Sequence, residues 1–248
     1  MKFQTQGLVI REKAVGERGW FVTLLTRDSG LIQAFVNRTR GKRENRIPGT
    51  DLLGYSRLDI YKGREKYIIS RAEPLGRFYG LRRDLEGMAL AMYFCQLAGD
   101  LLVASEDTAE ALRLMLNALY FLDQGKRSPK LLKAIVEMRL LTDTGYLPDL
   151  VACSQCGAGE AERMYFRVGE GQLRCGNCQT ADGAASALLT PNALRGMRHI
   201  VYSEFEKVFS FNVTGRALEE LSAAAEAYTL YLLGEMPDSL AFYHSVSG

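Results

Sequence analysis

The chain has 248 residues, 47% hydrophobic and 24% charged, with 24 Gly and 6 Pro. Those proportions fit an ordinary globular protein and exclude collagen, a coiled-coil rod and wholesale disorder, and no apolar run reaches the roughly 18 residues of a membrane-crossing helix. The formal charge of +2 hides an imbalance: residues 1–83 hold 18 Lys+Arg against 8 Asp+Glu, leaving 13 against 21 for the rest. A basic first third on an acidic remainder places the contact with a polyanion in that first third.

In chain order, residues up to about 75 read as β structure. The runs Gly7–Ile10, Trp20–Leu25, Leu31–Val36, Leu58–Tyr61 and Tyr67–Ile69 are rich in β-branched and aromatic residues, with turn-prone sequence between them. Asp28-Ser29-Gly30 marks a tight hairpin between the second and third runs. Five short strands with several apolar faces fit a small closed barrel, OB-like first and SH3-like second.

Near Pro74 the period changes. Leu85, Met88, Ala89, Met92, Tyr93, Gln96, Leu97 and Leu101 form one helical face. Thr108 is placed to cap a second helix ending at Gly125, and Ser128-Pro129 opens a third ending at Gly145. A cysteine-bearing segment follows, then a helix started by Thr190-Pro191 and another over 215–235. The tail from Pro237 reads as short and poorly ordered, with Leu240, Phe242 and Tyr243 able to dock on the bundle.

Two patterns carry chemistry. Cys153-x-x-Cys156 and Cys175-x-x-Cys178 are paired knuckles whose facing turns give a tetrahedral all-sulfur site for one structural Zn²⁺. The spacer strands 164–168 and 172–174 make it a zinc ribbon, and four sulfurs leave no open position for catalysis. Cys95, among apolar neighbours, reads as an inert core thiol. The second pattern is the loop Asn37–Arg46, in which Arg38, Arg40, Lys42, Arg43 and Arg46 stand against Glu44 alone. Arg11, Lys13, Arg57, Lys62, Arg64 and Lys66 lie near strand ends, interleaved with Trp20, Phe21, Phe35, Tyr55, Tyr61 and Tyr67. Cations along a groove with aromatic platforms are how single strands are gripped without sequence preference. These eleven Arg and Lys residues are the candidate nucleic-acid contacts, with two aromatics at most meeting bases.

No catalytic constellation emerges: His199 and His244 lack a sequence-adjacent nucleophile, and no phosphate-cradling Gly-Lys-Ser/Thr motif occurs. The reading is therefore not an enzyme.

The order of parts resembles the RecO family of bacterial recombination mediators. The likeness is carried by Gly7-Leu8-Val9-Ile10-Arg11, by the run Glu17–Gly30 containing Thr23-Leu24-Leu25-Thr26, and by Met138–Leu141 and Gly145-Tyr146-x-Pro148-Asp149-Leu150 leading into Cys153-x-x-Cys156-Gly157. The resemblance implies an α+β multidomain chain: an N-terminal five-stranded OB-fold barrel over 1–78, then an α-helical domain over 79–248 with a four-cysteine zinc ribbon inserted at 149–181. It further implies binding of single- and double-stranded DNA, annealing of complementary strands, and RecR and the C-terminal tail of single-strand-binding protein (SSB) as partners. It implies help in loading RecA on SSB-coated DNA, with a cytoplasmic, nucleoid location and no membrane. The competing readings are a zinc-dependent hydrolase and an RNA-binding zinc-ribbon scaffold.

Overall fold

A computed structural model describes residues 1–16, 19–38, 46–63, 66–102, 108–180 and 183–247. Two compact units divide the chain, Met1–Gln124 with Phe242–Gly248, and Gly125–Ala241.

The first unit is built on β1 (Lys2–Val15), β2 (Gly19–Thr26), β3 (Leu31–Asn37), β4 (Tyr55–Lys62) and β5 (Tyr67–Gly76). They close in the order β1-β2-β3-β5-β4, with β3 and β5 parallel and the remaining pairs antiparallel. That closure is the OB-fold. Alternation decides what fills it: Val9, Val22, Leu24, Ile32, Ala34, Val36, Leu58, Ile60 and Ile69 point inward as one cluster, so their neighbours face out. β1 is much longer than the apolar run predicts. Its polar residues, buried Thr5 apart, lie on the outside, with Lys2–Leu8 paired with β4 and Gly7–Val15 with β2, across a bulge between Val9 and Arg11. Gly19 starts β2 at φ +151, where a Cβ would stand 2.1 Å from the Val36 carbonyl oxygen. Gly19→Ala is therefore expected to lower stability by about 2–3 kcal/mol, read from urea unfolding; a loss below half of that would show the rim able to yield.

Two helices complete this unit, α1 (Leu85–Leu101) against β1 and α2 (Ala109–Asp123) against β2. The predicted face of α1 is only partly right. Leu85 and Met92 are 63% and 40% exposed, while Gly87, Leu90, Ala91, Phe94, Cys95 and Ala98 join the buried set. Small residues let neighbours pack around most of the helix, which a single-stripe reading misses. Thr108 does occupy the N-cap of α2, but its hydroxyl makes no cap bond. It donates instead to the Thr26 carbonyl, 2.6 Å away.

The second unit holds α3 (Pro129–Asp143), a four-stranded sheet, α4 (Pro191–Tyr202) and α5 (Gly215–Leu233). The sheet comprises β6 (Asp149–Cys153), β7 (Met164–Arg167), β8 (Gln172–Cys175) and β9 (Ser186–Leu189), ordered β6-β8-β7-β9. The ribbon strands foreseen are β7 and β8; β6 and β9 flank them. α3 and β9 pack on α5. The tail is ordered as α6 (Asp238–Val246), correcting the expectation of a loose end. Leu240 and Tyr243, one helical turn apart, are buried, whereas Phe242 is exposed.

Candidate nucleic-acid interface and metal centre

Pairing register sets a band of side chains around the outside of the barrel. Lys13 of β1 lies opposite Phe21 of β2, Phe21 opposite Phe35 of β3, and Phe35 beside Ile68 of β5. Ile68 is opposite Tyr61 of β4, and Tyr61 opposite Lys2, at the start of β1. The next rung down carries Arg11, Thr23 and Gln33. Phe21 and Phe35 meet edge-to-face with ring centres 5.1 Å apart, the Lys66 ammonium lies 4.7 Å over Phe35, and Tyr61 is 49% exposed. The surface is thus an aromatic platform flanked by cations.

Of the eleven predicted DNA contacts, Arg40, Lys42, Arg43 and Arg64 lie outside the described residues. Lys13 and Lys66 are exposed beside the platform, and Arg38 is exposed just past β3. Lys62 lies 5.5 Å over Tyr67, and Arg11 is one rung from Lys13 with Asp100 3.6 Å away. Arg57 sits at the other end of β4, paired with Glu73 at 3.1 Å. Arg46 is the most enclosed. It pairs with Glu12 at 2.9 Å with 17% of its side chain exposed, covers Trp20 at 4.9 Å, and bonds Thr50. Its geometry is that of a clamp tying the chain to β1 and β2. Among the aromatics, Trp20 and Tyr67 pack against the barrel core, and the Tyr55 hydroxyl donates to Gln6 at 2.7 Å. Phe35 is only 7% exposed, with Phe21 and Lys66 lying against it, so Phe21 and Tyr61 present the accessible rings. Lys2 and Ile68 were not singled out from sequence, because only pairing register places them in the band.

In the second unit the four predicted ligands converge. The Sγ atoms of Cys153, Cys156, Cys175 and Cys178 all lie within 4.8 Å of one another, with Cys156 and Cys175 3.7 Å apart. A zinc tetrahedron with bonds of about 2.3 Å has edges of about 3.8 Å, so the donor set fits that ion. The ends of β6 and β8 supply Cys153 and Cys175, both buried, while turns supply exposed Cys156 and half-buried Cys178. Gly157 takes φ +75, which lets the first turn close with its N–H on the Cys153 carbonyl at 2.9 Å. Burial acts to raise the Cys153 thiol, but N–H donors from Cys175, Cys156 and Gln155 prevail and bring it down to about 6. Cys178 is pushed up to about 12, chiefly by hydrogen bonds with Cys156 and Cys175. Four neighbouring sulfurs do not all ionise without a compensating cation, and a dication held by them would supply it.

The remaining candidates are quiet. Burial pushes the Cys95 thiol up to about 12. His199 donates Nε2–H to the Lys207 carbonyl at 2.8 Å, and His244 is 6.0 Å from the ring of Tyr243.

Barrel and cysteine centre together define a class: an OB-fold protein whose helical part carries a sheet with a four-cysteine cluster able to hold a metal ion. The profile of the Recombination protein O N-terminal domain matches residues 1–78 and that of its C-terminal domain residues 82–241. The chain belongs to the RecO family. It is 30% identical to the DNA repair protein RecO of Acetivibrio thermocellus over 91% of this chain and 89% of that one. It is 28% identical to the DNA repair protein RecO of Dehalococcoides mccartyi strain CBDB1 (98% and 96%) and to that of Symbiobacterium thermophilum (92% and 91%).

Proposed function

We propose that this chain is a non-enzymatic recombination mediator that binds single- and double-stranded DNA through its barrel and anneals complementary strands. One observation carries the reading: the outward band in which Lys13 and Lys66 flank the accessible rings of Phe21 and Tyr61, with Phe35 buried in the same band. Phosphates meet the cations and bases meet the rings. A strand held by its backbone keeps base edges free to pair, and neutralised phosphates let a second strand approach; annealing follows without a nucleotide cofactor. Family membership supports RecR and the SSB tail as partners and RecA loading on SSB-coated strands as the outcome, in the cytoplasm at the nucleoid. The four cysteines hold one structural Zn²⁺.

The direct test is annealing of SSB-coated oligonucleotides with and without RecR and with no nucleotide present. Acceleration is expected; none in either arm would sink the mediator reading. Binding should also weaken with salt. Five phosphate contacts give a slope of about −3.5 in log K against log salt for single strands, and Lys13→Ala with Lys66→Ala should bring it to about −2.1. A flat response measured by anisotropy would remove the barrel from the reading. Phe21→Ala should weaken single-strand binding by about 5- to 150-fold with the slope unchanged.

A further inference from the structure

We propose that a cleft in the Gly125–Ala241 unit holds the terminal nucleotide of a strand through its phosphate monoester. The inference rests on the nucleic-acid reading for its ligand, and on a different surface from the barrel for its site. The cleft, about 400 Å³, lies between α4 and the segment Phe211–Thr214 that leads into α5. That is within the range of small-molecule sites, about 300–1,000 Å³, and suits one nucleotide rather than a run of them.

Arg195 lines the cleft and no carboxylate does; its side chain is exposed, borders an adjoining recess that holds Glu160 and Glu162, and has no hydrogen bond or ion pair among the described residues. The cations around it are engaged. Arg127 donates to the Phe209 carbonyl at 2.6 Å and to that of Phe211. Arg198 holds the carbonyls of Leu150, Val151 and Gly159, and Arg216 holds Glu220. The planar fork of Arg195 is left for an anion it can grip bidentately. Asn192 and Asn212 also line the cleft without a hydrogen bond among the described residues, and each offers donors and an acceptor to a base edge. Phe211 and Val213 form the apolar wall. The wall is set in advance: Phe211 leans on His199 with centres 4.5 Å apart, and a Cβ at Gly196 would come within 3.0 Å of Val213 and 3.4 Å of Phe211. A strand end carries a second phosphate charge that an internal diester lacks.

The test titrates the full chain with 5′-phosphorylated, 3′-phosphorylated and hydroxyl-ended oligonucleotides and with an endless single-stranded circle. At least one phosphorylated end should bind about tenfold tighter than hydroxyl ends. Arg195→Ala should erase that preference with circle affinity unchanged, and Arg195→Lys should restore part of it. Equal affinity for all ends, or a preference that survives Arg195→Ala, overturns the proposal. So does displacement of the phosphorylated strand by a peptide with a free apolar C-terminus but not by a deoxynucleoside monophosphate, which would make the cleft a protein-end pocket. Loss of circle binding with the end preference intact would count against the barrel reading and for this one.

Discussion

Cys153→Ser is expected to abolish metal binding and to unfold the Gly125–Ala241 unit, not merely to loosen it. Cys153 ends β6 and is buried. Its sulfur accepts the Cys175 N–H at 3.3 Å, and its own N–H and carbonyl close the first turn on Ala158 and Gly157. One residue thus joins β6, the turn and β8. A structural Zn²⁺ contributes on the order of 10–16 kcal/mol to the folding of small zinc domains, against a total stability of about 5–15 kcal/mol for a typical protein. Losing the metal together with the buried Cys153 sulfur therefore removes more than the fold has in reserve. Metal content should fall from one ion per chain to none, with loss of the cooperative thermal transition and of hydrogen-exchange protection across 149–189. Prolonged chelation of the unaltered chain should reach the same state. Cys156→Ser, at the exposed corner of the cluster, should be milder. A Cys153→Ser chain that kept its metal, its transition and its exchange protection would sink the structural reading. One that stayed folded but lost a hydrolytic activity would point to the zinc-hydrolase alternative.

The parts legible in the sequence are those with local signatures. Two Cys-x-x-Cys turns specify four ligands whatever surrounds them, and inward apolar alternation specifies barrel strands. Long-range pairing is not local. The outer band needed β1–β2, β2–β3, β3–β5 and β5–β4 registers at once, so Phe21 and Phe35 could be named among the aromatics but not as neighbours. Arg46 reads as one more cation in a basic loop, and only tertiary contacts with Glu12, Trp20 and Thr50 make it a clamp. The same limit applies to Thr108, whose sequence context marks a cap correctly while its hydroxyl serves another strand. On α3, periodicity picks Leu132, Ile135, Val136 and Leu140, all buried. Lys133 and Glu137, four residues apart, have the spacing of an exposed helix pair. Both are buried, at 2% and 0%.

That buried pair yields the other large expected effect, from Lys133→Met. The Lys133 ammonium is 2.9 Å from Glu137 on its own helix and 2.7 Å from Glu226 on α5. Met fills nearly the same volume and preserves helix propensity, so the change isolates the charge. It takes the ammonium away from a Glu137 carboxylate that stays in the interior, and breaking a buried pair in that way costs about 3–5 kcal/mol. Glu226 can turn to water, since its side chain is 23% exposed, whereas Glu137 is fully enclosed. Restoring neutrality with Glu137→Leu in the same chain should therefore recover most of the loss. The pH dependence has a definite sign. Burial pulls the Lys133 ammonium toward neutrality, but Glu137 and Glu226 outweigh it and raise its pKa above 10.5. A raised lysine is fully stabilising below its unfolded value and loses that contribution as the pH climbs through the folded one. The unaltered chain should thus keep this contribution at neutral pH and lose it only in alkali, beyond about pH 10.5. The gap to Lys133→Met in urea unfolding should narrow over that alkaline window. A gap under about 1 kcal/mol at pH 7 would mean that Glu137 finds water or a proton on its own, and that the three charges do not hold α3 to α5.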